Sequence, residues 1–261
     1  MTKELKFAIG LAKKSGKLIL AALNEEQSAS AKTVKRDICT SADLAAEKLI
    51  VEEIKSKFPT HNIIREEGKN IQNGSDYTWL IDALDGTKYF ISGIKFFTTS
   101  IALWHKNKPI MGVIYQPGTD ECWFAEKGKG VFLNDRKLKV AQEIQLKNSI
   151  ISLDINHLSL LTKNEQKILF ERLKKIAGNF YRFRVIGSGS LSLCYLAMGH
   201  FDAYFDLSGR QEMWDLGAGL VIAKEAGAKI TDLNGKRPGQ NAKHLVVTNG
   251  KIHNKMLKLL Q

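Results

Sequence analysis

The change of hydrophobic period along this chain is its strongest constraint. From residue 149 onward, strand-like and helix-like runs alternate. Ser149–Leu153, Arg182–Ile186, Ala203–Leu207, Lys229–Thr231 and Leu245–Thr248 read as strands; Lys163–Ala177, Leu191–Met198, Asp215–Ala226 and Ile252–Leu260 read as helices. That alternation calls for a sheet with helices laid on its faces. The first half is organised differently. Residues 3–24 and 42–57 carry helical apolar spacing, the second ending at Phe58-Pro59. Strand-like runs then follow at Asn62–Ile64, Trp79–Ile81, Thr98–Trp104, Ile110–Tyr115, Glu121–Glu126 and Gly130–Phe132, with a hairpin over 133–140. No repeat or long linker separates the halves. The expectation is an α/β protein of two closely packed subdomains, 1–145 and 146–261.

Composition bears on function mainly by exclusion. No run of eighteen apolar residues exists, so no membrane helix is expected. The N-terminal residues mix lysines with apolar side chains and do not read as a signal peptide. Three cysteines, Cys39, Cys122 and Cys194, lie far apart with no CxxC pairing, so reduced thiols in a cytoplasmic protein are expected. The formal net charge of +12 would favour phosphate-bearing molecules. The lysines are scattered rather than massed, so the preferred reading is a solvated surface, with nucleic-acid binding the minor one. GLAKKSGK is not a phosphate loop: five residues separate Gly10 from Gly16, and Leu18 stands where Ser or Thr should follow the lysine.

The chemistry concentrates in WLIDALDGTKYF, residues 79–90, where an apolar run ends on Asp82 and Asp85. Residues three apart on a strand face opposite sides, so the two carboxylates converge only if the chain turns between them. Asp85-Gly86 supplies turn chemistry and would bring the Leu84 carbonyl to the same space. Oxygen donors of this kind suit a hard cation such as Mg²⁺; an Asx-type turn without metal explains the stretch equally well. Further acids stand at element ends: Glu66-Glu67 after a strand, Asp43 and Asp215 at helix starts. Singly, these are a solvated loop and dipole-favoured helix residues. Together they suggest a carboxylate-lined cleft between the halves.

Four stretches then resemble one family. WLIDALDGTKYFISGIKFFTTSIAL, residues 79–103, is similar to the W-x-I-D-P-L-D-G-T-x-N-F signature of the inositol monophosphatase family and what trails it. WDLGAGLVIAKEAGAKITD, residues 214–232, is similar to its W-D-x-A-A-G motif, REEG to its G-E-E, and RDICTSAD, residues 36–43, to the stretch bearing an aspartate beside the catalytic threonine. The resemblance covers nearly the whole chain, in order. It implies a layered α-β-α-β-α sandwich and a Mg²⁺-dependent, lithium-sensitive phosphomonoesterase using two to three ions. By resemblance, Glu66, Asp82 and the Leu84 carbonyl would hold one ion, Asp82, Asp85 and Asp215 a second, and Glu66 would touch a third. Thr87 and Asp43 would orient the attacking water, and the Gly86 and Thr87 amides would receive phosphate.

The resemblance also assigns the alcohol side. Gly187, Ser188 and Gly189 of RVIGSGSLSL match the segment that contacts it, and Asp206 falls near an acidic ring contact; Asp85 and Asp215 face the substrate too. Independently of the family, Gly187–Ser190 joins a strand to a helix, where free amides favour anions or hydroxyls and Ser is an ordinary N-cap. The chain departs from the family pattern in four places. Ala83 replaces a proline, Arg65 a glycine, and the stretch 206–215 is about two residues longer than in animal relatives; Lys88-Tyr89 stands where Thr-Asn is frequent, and DGTK is shared with relatives that cleave phosphoadenosine phosphate, which bears on the substrate. Inositol monophosphate is the expected substrate, with phosphoadenosine phosphate and fructose bisphosphate as alternatives. Relatives also imply a homodimer. The rival class is a regulatory RNA- or protein-binding protein that keeps this fold.

Overall fold

The computed structural model describes residues 1–23, 29–31, 38–156, 158–238 and 244–261. Its elements in chain order are α1 (Lys3–Ala22), β1 (Ala29–Ala31), β2 (Ile38–Thr40), α2 (Ser41–Lys57), β3 (Asn62–Arg65), β4 (Tyr77–Asp85) and α3 (Thr87–Ile91). There follow β5 (Thr98–His105), β6 (Lys108–Gln116), β7 (Glu121–Glu126), β8 (Gly130–Leu133), β9 (Arg136–Lys137) and β10 (Ile150–Asp154). The rest comprises α4 (Lys163–Asn179), β11 (Arg182–Val185), α5 (Gly189–Ala197), β12 (Ala203–Asp206), α6 (Met213–Glu225), β13 (Lys229–Thr231), β14 (Val246–Thr248) and α7 (His253–Leu260). Residue 24, the expected end of the first helix, and the side chain of Cys39 lie outside what is described.

Two sheets carry the architecture. One has seven strands in the order β3-β4-β5-β6-β7-β8-β9, the other five in the order β11-β10-β12-β14-β13. The period-two pattern of the strands distributes them among three cores. On β4, Trp79 and Ile81 face α1 and α2, while Leu80 faces the opposite way. On β5, Ile101 and Leu103 join the α1/α2 core; Ala102 and Trp104 join α5 and α6. On β12, Tyr204 points into the α5/α6 core and Ala203 and Phe205 toward α4 and α7. The layers therefore run α1/α2, seven-stranded sheet, α5/α6, five-stranded sheet, α4/α7. The proposed subdomain boundary at 145 falls between β9 and β10, and the α5/α6 core is shared across it.

Gly112 sets the central spacing. A Cβ there would lie 2.5 Å from the Ala218 carbonyl oxygen, so the backbone of α6 sits directly on β6. The hairpin expected across HKNKP closes in two residues, Lys106 and Asn107, both at positive φ (49° and 59°); that is the turn whose twist suits a hairpin. Cys122 and Cys194 are free and buried. Among the described residues, no helix is long and apolar enough to cross a membrane.

Candidate active site

Where a turn is expected within Asp82–Asp85, the strand instead continues through both residues and bulges. Asp82 pairs with Ser100 and Asp85 with Thr98, so β4 spends three steps against two on β5. The bulge brings the two acids toward one end of the strand. The Leu84 N–H donates to Asp82 Oδ1 at 3.1 Å, which is the Asx-type turn, and Thr99 Oγ1 donates to the Ala83 carbonyl at 2.9 Å. Thr99 thus ties down the residue that stands where proline is usual. Gly86 follows at φ 95°, a conformation that costs glycine little, and starts the short helix α3. The Thr87 hydroxyl donates back to the Leu84 carbonyl at 3.0 Å.

Three further acids converge from other elements. Glu66 follows β3, Asp43 lies in the first turn of α2, and Asp215 in the first turn of α6. Glu66, Asp82 and Asp215 each offer a carboxylate oxygen, and these oxygens lie within 4.8 Å of one another. Asp82 is held well above the usual carboxylate range, first by burial and then by the charges of Glu66, Asp85, Asp215 and Asp43. Asp215 is raised for the same reasons, against a lowering hydrogen bond from the Glu212 N–H. Glu66 is pushed up to about 7 by loss of water around its carboxyl, then by Glu67, Asp85 and Glu47. The residue as a whole keeps an exposed edge, so solvent tempers that rise. Among the described residues, no lysine or arginine pairs with Glu66, Asp82, Asp85 or Asp215. Packed carboxylates without a protein cation are costly, and their all-oxygen donor set fits a hard divalent ion.

Asp85 is not part of the three-oxygen group. Its Oδ2 accepts from Ser188 Oγ at 2.6 Å and from Ser190 Oγ. Burial raises its pKa while these hydroxyls lower it. Ser188 is the N-cap the sequence allowed: its Oγ also accepts from the Leu191 N–H at 3.3 Å and caps α5. Gly187, at φ 71°, and Gly189 flank it. The Tyr89 hydroxyl donates to the Ile186 carbonyl, linking α3 to this turn beside the bonds from Asp85 at the end of β4.

The expected ring contact, Asp206, is engaged by its own loop. It is 1% exposed, and its carboxylate accepts from the Ser208, Gly209, Arg210 and Gln211 N–H groups and from the Ser208 hydroxyl. With its acceptor sites taken by the loop that follows, it is a loop cap in this chain. Sequence reasoning missed Asp154, which pairs in register with Asp206 on the neighbouring parallel strand and is also 1% exposed. The signal was available: an acid closing the apolar run IISLD, as Asp82 closes WLID.

The whole chain, residues 1–261, matches the sequence profile of the Inositol monophosphatase family. The chain belongs to this family. A fructose-1,6-bisphosphatase/inositol-1-monophosphatase of Thermotoga maritima is 33% identical over 256 residues, covering 98% of this chain and 95% of that one. A Nus factor SuhB of Pasteurella multocida is also 33% identical, over 264 residues, covering 100% and 97%. The crystal structure of the extragenic suppressor protein SuhB from Bartonella henselae superposes with a TM-score of 0.92 at 30% identity, covering 100% of this chain and 99% of that one. Family membership supports a phosphatase acting on small phosphorylated substrates. The SuhB-named relatives leave the substrate and a regulatory role open.

Proposed function

We propose that this chain is a Mg²⁺-dependent phosphomonoesterase that hydrolyses a small phosphorylated alcohol, inositol monophosphate foremost. The observation that carries the reading is the set of three carboxylate oxygens, on Glu66, Asp82 and Asp215, gathered within 4.8 Å. Those residues would hold Mg²⁺, with the Leu84 carbonyl and Asp85 completing the donor set. The ions, two to three by family resemblance, would neutralise the acids, clamp the phosphate and make water a stronger nucleophile at neutral pH.

The remaining work falls to the chain itself. Thr87 and Asp43 would orient the water and take up its proton, and the Gly86 and Thr87 amides would receive phosphate oxygens. Gly187, Ser188 and Gly189 would line the alcohol side. In hydrolysis a water oxygen bonds to phosphorus, the ester P–O bond breaks, and the alcohol leaves protonated. Phosphoadenosine phosphate and fructose bisphosphate are the alternative substrates. Phosphate release with Mg²⁺ from all three, with Asp82→Asn as the blank, tests the reading. Release lost in the variant supports it; equal release from Asp82→Asn overturns the metal assignment.

A second reading rests on the relatives named Nus factor SuhB, at 32–35% identity, together with the net charge of +12. In it, the protein also binds an RNA or protein partner. RNA binding that weakens steeply with salt would support it. A homodimer also belongs to the proposal: the edge strand β11 leaves Phe183 and Val185 exposed, with Tyr181 beside them. Sedimentation would test it.

A further inference from the structure

Asp85 sits beside the acid cluster, and what holds it there comes from the other half of the chain. It is not among the three acids whose oxygens gather within 4.8 Å, yet its charge is near enough to act on all of them. Like charges would drive a free carboxylate away from such neighbours. Hydroxyls restrain this one. Ser188 and Ser190, at the N-cap and in the first turn of α5, both donate to Asp85 Oδ2, Ser188 at 2.6 Å. Ser190 has one proton, and Asp85 takes it. In the 2.9 Å contact between Ser190 Oγ and Thr98 Oγ1 the threonine is therefore the donor. Thr98 lies opposite Asp85 in the β4–β5 register. The result is a series of hydroxyls, Thr98 to Ser190 to Asp85, with Ser188 alongside, all three on buried residues. Hydrogen bonds in series polarise and strengthen one another. Among the described residues no hydroxyl donates to Asp85 Oδ1.

Packing alone does not ask for a serine at position 190. Residues 189–194 of α5 are all buried. Alanine is the better helix former there, and a buried hydroxyl costs free energy unless it is partnered. The partners of the Ser190 hydroxyl are Asp85, Thr98 and, at 3.4 Å, Ser188. Thr98 and Ser188 are themselves turned to the same carboxylate, one through Ser190 and one directly. Asp85 is thus what the whole group of hydroxyls serves.

We propose that Ser190 and Ser188, backed by Thr98, are positioning residues for Mg²⁺ binding: they hold Asp85 by its Oδ2 and so keep its Oδ1 available to an ion. The proposal rests on the phosphatase reading and deepens it. It assigns part of the affinity for Mg²⁺ to α5, a helix that carries no acidic residue of its own. Groups that orient a metal ligand from behind typically govern metal affinity by about 10–100-fold.

The test is calorimetric titration of the full, metal-stripped chain with Mg²⁺ alone, followed by hydrolysis of inositol monophosphate at saturating Mg²⁺. Ser190→Ala should raise the Kd for Mg²⁺ about 10–100-fold, and the rise in Tm from a fixed sub-saturating Mg²⁺ addition should shrink with it. At saturating Mg²⁺ its KM should stay within about twofold of wild type, the usual scatter of harmless changes. Thr98→Val leaves both serines on Asp85 and should raise the Kd by a smaller factor. Ser152→Ala is the control: it breaks another buried hydroxyl pair, Ser152 Oγ to Ser192 Oγ at 2.9 Å, which does not include Asp85, and should keep the wild-type Kd. A Kd within about twofold of wild type in Ser190→Ala overturns the inference; if Asp82→Asn still weakens Mg²⁺ binding, the metal reading stands. An unchanged Kd with a raised KM would make Ser190 a substrate contact, and an equal rise in Ser152→Ala would mean general loosening; either overturns the inference. Should Ser190→Ala fail to fold, Thr98→Val decides on the same criterion. A wild-type chain that takes up no Mg²⁺ overturns the metal reading and this inference with it.

Discussion

Gly112→Ala should loosen the fold and the site together. The added methyl would sit 2.5 Å from the Ala218 carbonyl oxygen and 2.8 Å from its Cα. Both obstacles are backbone, so no rotamer can move aside. Ordinary contact would require β6 and α6 to part by about 1 Å, and interiors packed at crystal density resist that. Overpacking typically costs about 1–3 kcal/mol, and the rigid neighbours here point to the upper end. The displaced helix carries Asp215 in its first turn. A misplacement of about 1 Å can lower turnover about 100-fold. Urea unfolding should show a loss near 3 kcal/mol with an unchanged slope, and Mg²⁺-dependent phosphate release should drop about 10–100-fold. Gly10→Ala is the contrast: nothing lies within 4 Å of its Cβ position, on a helix interior. It should stabilise by about 0.5–1 kcal/mol. A Gly112→Ala protein within about 0.5 kcal/mol of the parent, inside the usual scatter of harmless surface changes, would refute the claim that this glycine sets the spacing.

Two further outcomes are expected. Without Mg²⁺, Glu66, raised from 4.5 to about 7, and Asp82 and Asp215, raised well above 3.8, bind more protons folded than unfolded. Stability should therefore fall as pH rises through the window from about 4.5 to 7. In chelator the Tm at pH 6 should exceed that at pH 8, and saturating Mg²⁺ should close the gap; a Tm that climbs from pH 6 to 8 in chelator would sink the account. Arg65→Ala removes the guanidinium 3.2 Å from Glu47, whose other oxygen accepts from the Glu67 N–H at 2.9 Å. Burial already raises the Glu47 pKa and Arg65 opposes that rise. The variant should lose about 1–3 kcal/mol, and adding Glu47→Gln should recover part of it; no change in denaturation midpoint would show the pair to be incidental.

Much of this molecule was legible in its residues. Helices α1, α2 and α4 announce themselves by apolar spacing, and the acids at strand and helix ends mark the cleft. What escaped depended on partners distant in sequence. The Asx-type turn at Asp82 and the turn at Gly86 were legible locally, but the bulge at Asp82–Asp85 depends on pairing with β5, which local reading does not see. Helix α3 is five residues, too short for a period to show. Asp85 turned to Ser188 and Ser190, a hundred residues away, which no spacing rule reveals. The cap that Asp206 forms could not be foreseen because the loop after it contributes backbone donors, and backbone donors look the same in every sequence.

The seat of α6 on β6 also bears on how a copy of this protein comes into being. Asp43, Glu66 and Asp82 emerge from the ribosome well before Asp215, whose helix rests on a sheet completed some eighty residues earlier and is backed by strands β12 and β14. The helix that brings Asp215 is packed between a sheet finished by residue 137 and one whose strand β14 is residues 246–248, so the carboxylate cluster draws on nearly the whole length of the chain. A copy truncated before β14 would lack part of the backing that seats its last acid.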